Sequence, residues 1–245
     1  MNKNFAAITS MDENYYKNCG RTMLRSYKSH WSHLMPLYVY NENSFQIKVK
    51  TVQTMGFALG DAYHDFQARH KNDKVKQFAK KAFPIINAMN KIDCDRLVWL
   101  DADIVIRDNV PHQLLDLVSP EDVLSTHFDV WHWKDNKQYH SCETGFFILN
   151  TRHPGFKEFR DVYTDIYLND KSEDLRRFYD GEVYGKTVRM LEEKGNKMLN
   201  LNPGRHKTPI SRSVIAPYVT HFKAGLKDKV DFDSINDTFE DEDDD

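Results

Sequence analysis

The sequence predicts an α/β protein with a single doubly wound, mostly parallel sheet flanked by helices. Short apolar runs, typical of buried strands, alternate with helical patterns along the chain. One of these runs is interrupted by Asp101 and Asp103, and sheets of this kind bind ligands at the carboxyl ends of their strands. Because apolar residues are spread evenly over 245 residues, we expect one large domain rather than two small ones.

The N-terminal part has the clearest alternation of elements. It predicts a helix over residues 15–31 and strands over 5–9, 36–40 and 47–52. Since strands joined by helices run parallel, we expect the loop from Thr9 to Tyr16 and the two aspartates to share one crevice.

A further helix is predicted over residues 73–90, with one apolar face and one face rich in lysine. Lysines on such a face are usually solvated. This helix leads directly into the strand that carries the aspartates, however, so one of its lysines could reach the carboxylates or a bound phosphate.

Residues 96–106 form an apolar run that predicts a strand buried on both faces. Unpaired carboxylates are costly in such a strand, so Asp101 and Asp103 need a partner. In an extended segment these two side chains point in the same direction and can bind one cation. A solvent-exposed strand end is the simpler alternative.

The second half of the chain continues the pattern. It predicts helices over 111–117, 154–167 and 183–193, and strands over 144–150 and 217–222. Glu143 precedes one of these strands, where its carboxylate would face the crevice. The aromatic-rich stretch 123–139 is expected to be a loop that either stacks against a sugar or caps the core.

Polar residues near the C-terminal elements are further candidates for the site. Asp180 and Glu182 lie at the start of a helix, where the helix dipole alone could account for them. His221 ends the last strand and is followed by Gly225 and Lys227. These three could supply a metal ligand, a close approach of the backbone and a phosphate contact.

Composition limits the possible classes of function. The net charge of −3 reflects an acidic end, because 33 basic and 27 acidic residues precede residue 228. That mild basic balance favours a small anionic ligand over nucleic acid. We therefore expect a domain over 1–227 and a disordered acidic tail over 228–245. Three scattered cysteines, with no membrane span or signal peptide, suggest a cytoplasmic protein.

Taken together, these segments resemble the GT-A glycosyltransferases, most closely the retaining family 8 type that includes glycogenins and bacterial lipooligosaccharide galactosyltransferases. The family implies the GT-A fold, a single Rossmann-like, doubly wound sheet. Four segments carry the resemblance, in chain order: Ala7-Ile8-Thr9-Ser10-Met11-Asp12-Glu13-Asn14-Tyr15, Phe78-Ala79-Lys80-Lys81-Ala82-Phe83-Pro84, Val98-Trp99-Leu100-Asp101-Ala102-Asp103 and His221-Phe222-Lys223-Ala224-Gly225-Leu226-Lys227.

The resemblance implies a UDP-sugar donor, with Lys80 and Lys227 beside its diphosphate. It also implies a divalent cation held by Asp101, Asp103 and His221, with Asp101 acting directly, through water or at the ribose. Carboxylates with one imidazole suit Mn²⁺ or Mg²⁺, and the imidazole favours Mn²⁺. The full set of implied donor contacts is Thr9, Ser10, Asp12, Tyr15, Lys80, Asp101, Ala102, Gly225 and Lys227.

The implied reaction moves a hexose from UDP-glucose or UDP-galactose to a glycan, protein or lipid acceptor. If the configuration of the sugar is retained, Glu182, Asp180 or Glu143 would orient the sugar and stabilise its positive charge. An inverting enzyme would instead use one of these acids as general base.

Two other functions remain open from the sequence. A haloacid-dehalogenase-type phosphatase also places D-x-D-x-V after an apolar strand, as Asp101 to Val105 do, but it needs a second acidic pair after a later strand. A non-catalytic protein that binds sugar nucleotides would use the same cleft without transferring the sugar.

Overall fold

The computed structural model describes residues 3–42, 45–49, 52–56, 60–134, 137–204, 208–223, 230–236 and 238–239. Nine strands form in these residues: Phe5–Met11 (β1), Leu37–Asn41 (β2), Gln53–Gly56 (β3), Arg96–Leu100 (β4), Ile104–Ile106 (β5), Ser125–Lys134 (β6), Lys137–Asn150 (β7), Met198–Asn200 (β8) and Val219–His221 (β9). The α-helices of the same residues are Glu13–Tyr15 (α1), Arg21–His30 (α2), Gly60–Arg69 (α3), Asp73–Lys91 (α4), His112–Val118 (α5), Phe156–Leu168 (α6), Asp180–Glu193 (α7) and Phe232–Asn236 (α8).

A seven-stranded sheet in the order β3-β2-β1-β4-β7-β6-β8 forms the centre of the protein. The pairs β1–β2, β1–β4, β2–β3 and β6–β8 are parallel, whereas β7 runs antiparallel to both β4 and β6. The predicted α/β class with a mostly parallel, helix-flanked sheet is therefore confirmed.

Apolar residues cover both faces of this sheet, as the uninterrupted apolar run of β4 predicts. Leu97 and Trp99 belong to the cluster that packs against α4, α6 and α7. Val98 and Leu100 point the other way, into the cluster that contains α2 and α5 residues. Alternate residues of one buried strand therefore stabilise both halves of the core.

The run over 96–106 is broken by a turn, and in this respect the prediction of one continuous strand is wrong. The Ile104 amide donates to the Asp101 carbonyl oxygen over 3.0 Å, which closes the turn. The chain then leaves the main sheet, and β5 pairs antiparallel with β9, with Ile104 opposite His221. This pairing brings the last strand next to the two aspartates.

Two other local predictions are also wrong. The third strand lies at Gln53–Gly56, and residues 47–49 of the strand predicted over 47–52 are not in a strand, whereas residues 50 and 51 lie outside the described residues. Ile47 packs against the core from a loop, although its segment alternates like a strand. The expected loop over 123–139 is the long hairpin of β6 and β7. These strands were not predicted because much of one face is polar, so the apolar–polar alternation typical of strands is weak.

Part of the range 228–245, expected to be a disordered tail, is folded. Phe232 in α8 packs edge-on against Phe222, with ring centroids 5.3 Å apart. The Thr22 hydroxyl donates to the Phe232 carbonyl oxygen over 3.2 Å. Apolar side chains between the acids, including Ile235 and Phe239, complete this contact. Residues 240–245, the most acidic part, lie outside the described residues.

Within the described part of the chain, no helix is both long enough and apolar enough to cross a membrane.

Candidate functional site

A cleft of about 380 Å³ opens at the carboxyl ends of β1 and β4. The loop after β1 contributes Ser10, Asp12 and Tyr15 to its wall, and the turn after β4 contributes Asp101 to Asp103. The predicted crevice between these two segments therefore exists. Helix α4 forms the opposite wall, and Asp180 at the start of α7 closes one end.

Three candidate metal ligands meet at this cleft. The Nε2 atom of His221 lies 3.1 Å from Oδ1 of Asp103 and 3.7 Å from Oδ2 of Asp101. The side chains of Asp103 and His221 are each only 7% exposed. One ligand atom from each residue lies within 4.8 Å of the others, although His221 is 118 residues from Asp103 in sequence.

The donor set fits a divalent cation of the Mn²⁺ or Mg²⁺ kind. Neighbouring ligands around an ion with bonds of about 2.1 Å are about 3 Å apart, close to the His221–Asp103 separation. Two carboxylates would neutralise such an ion, and the imidazole adds a ligand that Mn²⁺ accepts more readily than Mg²⁺. The residues present can therefore hold the cation that the sequence predicts.

Gly145 of β7 makes room for the His221 ring. A Cβ atom at position 145 would lie 2.4 Å from Cε1 and 2.7 Å from Nδ1 of His221, which is too close for any side chain. This glycine was not among the predicted site residues. Its signal was a glycine inside a strand, which often marks a close approach by another group.

Lys81 is a buried cation of the site. The sequence predicts that one lysine of this helix reaches the carboxylates, but it does not single out Lys81. Its ammonium group donates to Oδ1 of Asp101 over 2.6 Å and to the Thr144 carbonyl oxygen, and it lies 3.3 Å from Oδ2 of Asp180. Burial alone would lower the pKa of Lys81, but the Asp101 and Asp180 carboxylates raise it above its usual value. The lysine is therefore held as a buried cation.

Trp99 fixes the orientation of the same aspartate. Its indole Nε1 donates to Oδ1 of Asp101 over 2.7 Å. The Lys81 ammonium also lies 5.0 Å from the Trp99 ring centroid, within the range of a cation–π contact. Oδ1 of Asp101 is thus engaged by two donors, and Oδ2 is the atom on the His221 side.

Lys80, which the sequence places beside a diphosphate, lines the cleft with an acidic neighbour that was not predicted. Its ammonium lies 2.9 Å from Oε2 of Glu42 and 3.7 Å from Oδ2 of Asp12. Burial raises the pKa of Glu42 above its usual value, although Lys80 opposes that shift. Lys80 and Lys81 are adjacent on α4 but therefore pair with different carboxylates: Lys80 with those of Asp12 and Glu42, and Lys81 with those of Asp101 and Asp180.

The other predicted donor contacts are distributed unevenly. Ser10, Tyr15 and Ala102 line the cleft, and Asp12 also caps α1 by accepting the Tyr15 amide over 2.8 Å. Thr9 is completely buried in the core beneath the cleft rather than in its wall. Gly225 and Lys227 lie outside the described residues.

The three candidate catalytic acids have different surroundings. Asp180 lines the cleft and accepts the Thr144 hydroxyl over 2.6 Å. Glu143 is buried, where it forms an ion pair with Lys223 and lies 3.6 Å from Nδ1 of His221. Glu143 lies next to the candidate metal ligand His221 but does not line the cleft, so its orientation toward the crevice stays a prediction.

Glu182 points to a different part of the protein. It accepts Arg176 Nη2 over 2.9 Å and the Arg177 amide over 2.8 Å. Together with Tyr139 and Arg189 it lines a separate cavity of about 350 Å³. Of the three acids, Asp180 is thus the one in direct contact with the cleft.

No protein-family model matches the sequence, and no curated protein is similar enough in sequence to count as a match. The structure is similar to the bifunctional glycosyltransferase WbbM, with 12% sequence identity and a TM-score of 0.58 over 96% of this chain and 49% of that chain. This chain therefore spans about half the length of WbbM.

Two similar structures match this chain over nearly their whole length. A glycosyltransferase involved in glycosylation of the major capsid of PBCV-1 has 12% identity and a TM-score of 0.54, covering 93% of this chain and 100% of that chain. The galactosyltransferase LgtC, solved with donor and acceptor sugar analogs, has 14% identity and a TM-score of 0.54, covering 96% of both chains. The chain therefore has the GT-A fold that these glycosyltransferases share.

Proposed function

We propose that this protein is a metal-dependent glycosyltransferase that moves a hexose, glucose or galactose, from a UDP-sugar to a glycan, protein or lipid hydroxyl. The observation that carries the proposal is the convergence of Asp101, Asp103 and His221 at the cleft of a GT-A fold. Neither the phosphatase nor a non-catalytic binding protein gains specific support from this arrangement.

The cation would be held by Asp103 and His221, with Asp101 as a direct or water-mediated ligand. When bound, the cation would neutralise the negative charge that develops on the leaving diphosphate. Trp99 and Lys81 both contact Oδ1 of Asp101 and so keep its other oxygen directed toward the ion.

Residues that follow β1 and β2 would bind the nucleotide. Asp12 and Glu42 are acceptors, suited to the donor groups of a ribose or a uracil rather than to phosphate. Lys80 pairs with both of these acids in the structure. When the donor binds, its ammonium group would contact the diphosphate instead. Lys227 would add a second contact to the diphosphate.

Asp180 is our choice for the acid that faces the donor sugar. Lys81 and Thr144 both contact Oδ2 of Asp180, which fixes this carboxylate at the end of the cleft. A fixed carboxylate can stabilise positive charge on the sugar, as a retaining reaction requires. Glu143 and Glu182, by contrast, would position neighbouring groups through Lys223 and Arg176.

The test has two parts. UDP with Mn²⁺ should raise the melting temperature of the wild-type protein, and Asp103→Ala should abolish the increase. The exposed Asp161→Ala on α6 is the matched control and should behave like wild type. Absence of any increase in the wild-type protein would overturn the proposal.

A screen of UDP-sugars for slow hydrolysis with Mn²⁺ would then identify the donor. NMR of the sugar, recorded as soon as it is released, would report its anomeric configuration. A released sugar with the same anomeric configuration as the donor supports retention. Release of the opposite anomer would instead assign an acid of the site as general base.

A further inference from the structure

A second cluster of metal-binding side chains lies away from the cleft, on the β6–β7 hairpin. His127 and Asp129 lie two residues apart on β6, and His140 and Cys142 two apart on β7, so each pair shares a face of its strand. Asp129 is directly opposite Cys142 in the hairpin register. The two histidine side chains are 2% and 3% exposed.

All of these groups converge on one carboxylate oxygen. Oδ1 of Asp129 lies 2.6 Å from Nε2 of His140, 3.1 Å from Nε2 of His127 and 3.9 Å from the sulfur of Cys142. The other oxygen accepts Asn200 Nδ2 over 2.9 Å. The carboxylate is therefore held in place by β8 while three potential ligands face its first oxygen.

These separations resemble those of ligands around one ion. A tetrahedral Zn²⁺ site has bonds of about 2.0 Å to nitrogen and oxygen and about 2.3 Å to sulfur, so its neighbouring ligands are about 3.3 to 3.5 Å apart. The observed 2.6, 3.1 and 3.9 Å fall on either side of this range. One ligand atom each from His127, Asp129 and Cys142 already lies within 4.8 Å of the other two, and His140, 2.6 Å from Asp129, would complete the set.

Hydrogen bonding alone leaves the cluster incomplete. The Nδ1 atoms of His127 and His140 are buried, and neither has a hydrogen-bond partner among the described residues. Each ring therefore uses only its Nε2 atom, and both Nε2 atoms are directed at Oδ1 of Asp129. The ring atoms that would bind an ion thus face one point, together with the sulfur of Cys142.

We propose that His127, Asp129, His140 and Cys142 form a structural binding site for a transition-metal cation of the Zn²⁺ type. Four protein ligands, with two nitrogens, one oxygen and one sulfur, make the closed set that is typical of structural zinc. The thiolate distinguishes this site from the cleft, whose oxygen-rich ligands suit Mn²⁺ or Mg²⁺.

Charge balance supports a buried divalent ion here. On binding, the Cys142 thiol loses its proton to solvent, and the resulting thiolate and the Asp129 carboxylate together neutralise the two positive charges of the ion. The histidines bind as neutral imidazoles. The filled site is then electrically neutral, as a mostly buried position requires.

The site would hold β7 in position for the cleft. Cys142 is followed directly by Glu143, Thr144 and Gly145, which contact Lys223, Lys81 and His221 as described above. An ion that joins β6 to β7 therefore stabilises the strand from which these three residues extend. The proposal does not depend on the glycosyltransferase activity.

Cobalt substitution provides a direct test. A protein stripped of metal and loaded with one equivalent of Co²⁺ should show a near-ultraviolet charge-transfer band from the Cys142 thiolate. Cys142→Ser should remove the band, whereas Cys94→Ser, which changes another buried cysteine, should retain it. Asp103→Ala should also retain it, because the cleft contains no sulfur ligand.

A stability measurement accompanies the spectra. In Asp103→Ala, which lacks one ligand of the cleft, Zn²⁺ should raise the melting temperature of the stripped protein and Mg²⁺ should not, and elemental analysis should find about one zinc per chain. The proposal is overturned if wild-type protein loaded with Co²⁺ shows no thiolate band, or if the band persists in Cys142→Ser. Because the wild-type result is decisive by itself, poor folding of a variant does not weaken the test.

Discussion

Replacing Lys81 by methionine should both destabilise the protein and change its response to metal. The substitution removes a buried cation from Asp101 and Asp180, whose side chains are 27% and 14% exposed. Breaking a buried ion pair costs about 3 to 5 kcal/mol. Because Asp101 retains its Trp99 contact and is partly solvated, we expect a loss of about 2 to 4 kcal/mol in the free energy of unfolding.

Lys80→Met is the matched control, since it removes the adjacent lysine from the same helix. Lys80 is 34% exposed, and exposed pairs contribute about 1 kcal/mol or less, so its loss should be correspondingly smaller. Urea unfolding at neutral pH without metal measures both values. Equal losses in the two variants would refute the assignment of Lys81 as the buried counter-ion.

The same pair of variants separates stability from metal binding. In Lys81→Met, Asp101 and Asp180 repel each other without an intervening cation, so a divalent ion at the cleft gains a stabilising role. Mn²⁺ should therefore raise the melting temperature of Lys81→Met by more than that of wild type. A smaller increase in Lys81→Met would contradict this account of the charges.

Three further predictions concern single positions. Gly145→Ala should weaken Mn²⁺ binding, measured by calorimetry, because its Cβ displaces the His221 ring; unchanged affinity would refute the packing argument. Arg152→Ala should destabilise the protein at pH 7. Arg152 holds the pKa of Asp95 below its ordinary value, so the loss of stability in Arg152→Ala should disappear as pH falls through that lowered pKa. Urea unfolding at several pH values measures this loss, and a loss that persists at low pH would contradict the prediction. Phe232→Ala should cost about 2 kcal/mol in chemical unfolding, whereas a disordered C-terminal segment would predict no change.

Much of the cleft could be predicted because its signals are local in sequence. An apolar strand that ends in two carboxylates, and a histidine at the end of another strand, each point to the edge of a sheet. The topology of a doubly wound sheet then brings such ends together. Asp101 and Asp103 are predicted in this way as ligands of one cation and His221 as a further candidate ligand, and the resemblance to the GT-A glycosyltransferases implies that the three act together.

The burial of Lys81 could not be predicted by the same reasoning. Lys80 and Lys81 are neighbours on a helix face that is rich in lysine, and helical periodicity does not distinguish them. The distinction comes from Asp101, 20 residues later, and Asp180, 99 residues later. A buried lysine is stable only with such partners, and these are set by tertiary packing rather than by local pattern.

The hairpin of β6 and β7 was missed for a related reason. Strand prediction depends on alternation between apolar and polar residues, but the face that carries His127, Asp129, His140 and Cys142 is polar and yet buried. A buried polar face lacks the pattern by which strands are recognised. The feature that obscured the secondary structure is the same one that now suggests a second metal site.

Strand β7 connects the two sites through its alternation. Glu143 and Gly145 point toward His221, whereas Cys142 and Thr144 point toward the opposite face, where Asp129 and Asp180 lie. A shift of register by one residue would exchange these faces and remove both constellations together. The register in which Asp129 faces Cys142 therefore accompanies the pairing of Leu100 with Phe146 that places Gly145 beside Asp101, and a metal ion bound at Asp129 and Cys142 would hold the hairpin part of that register directly.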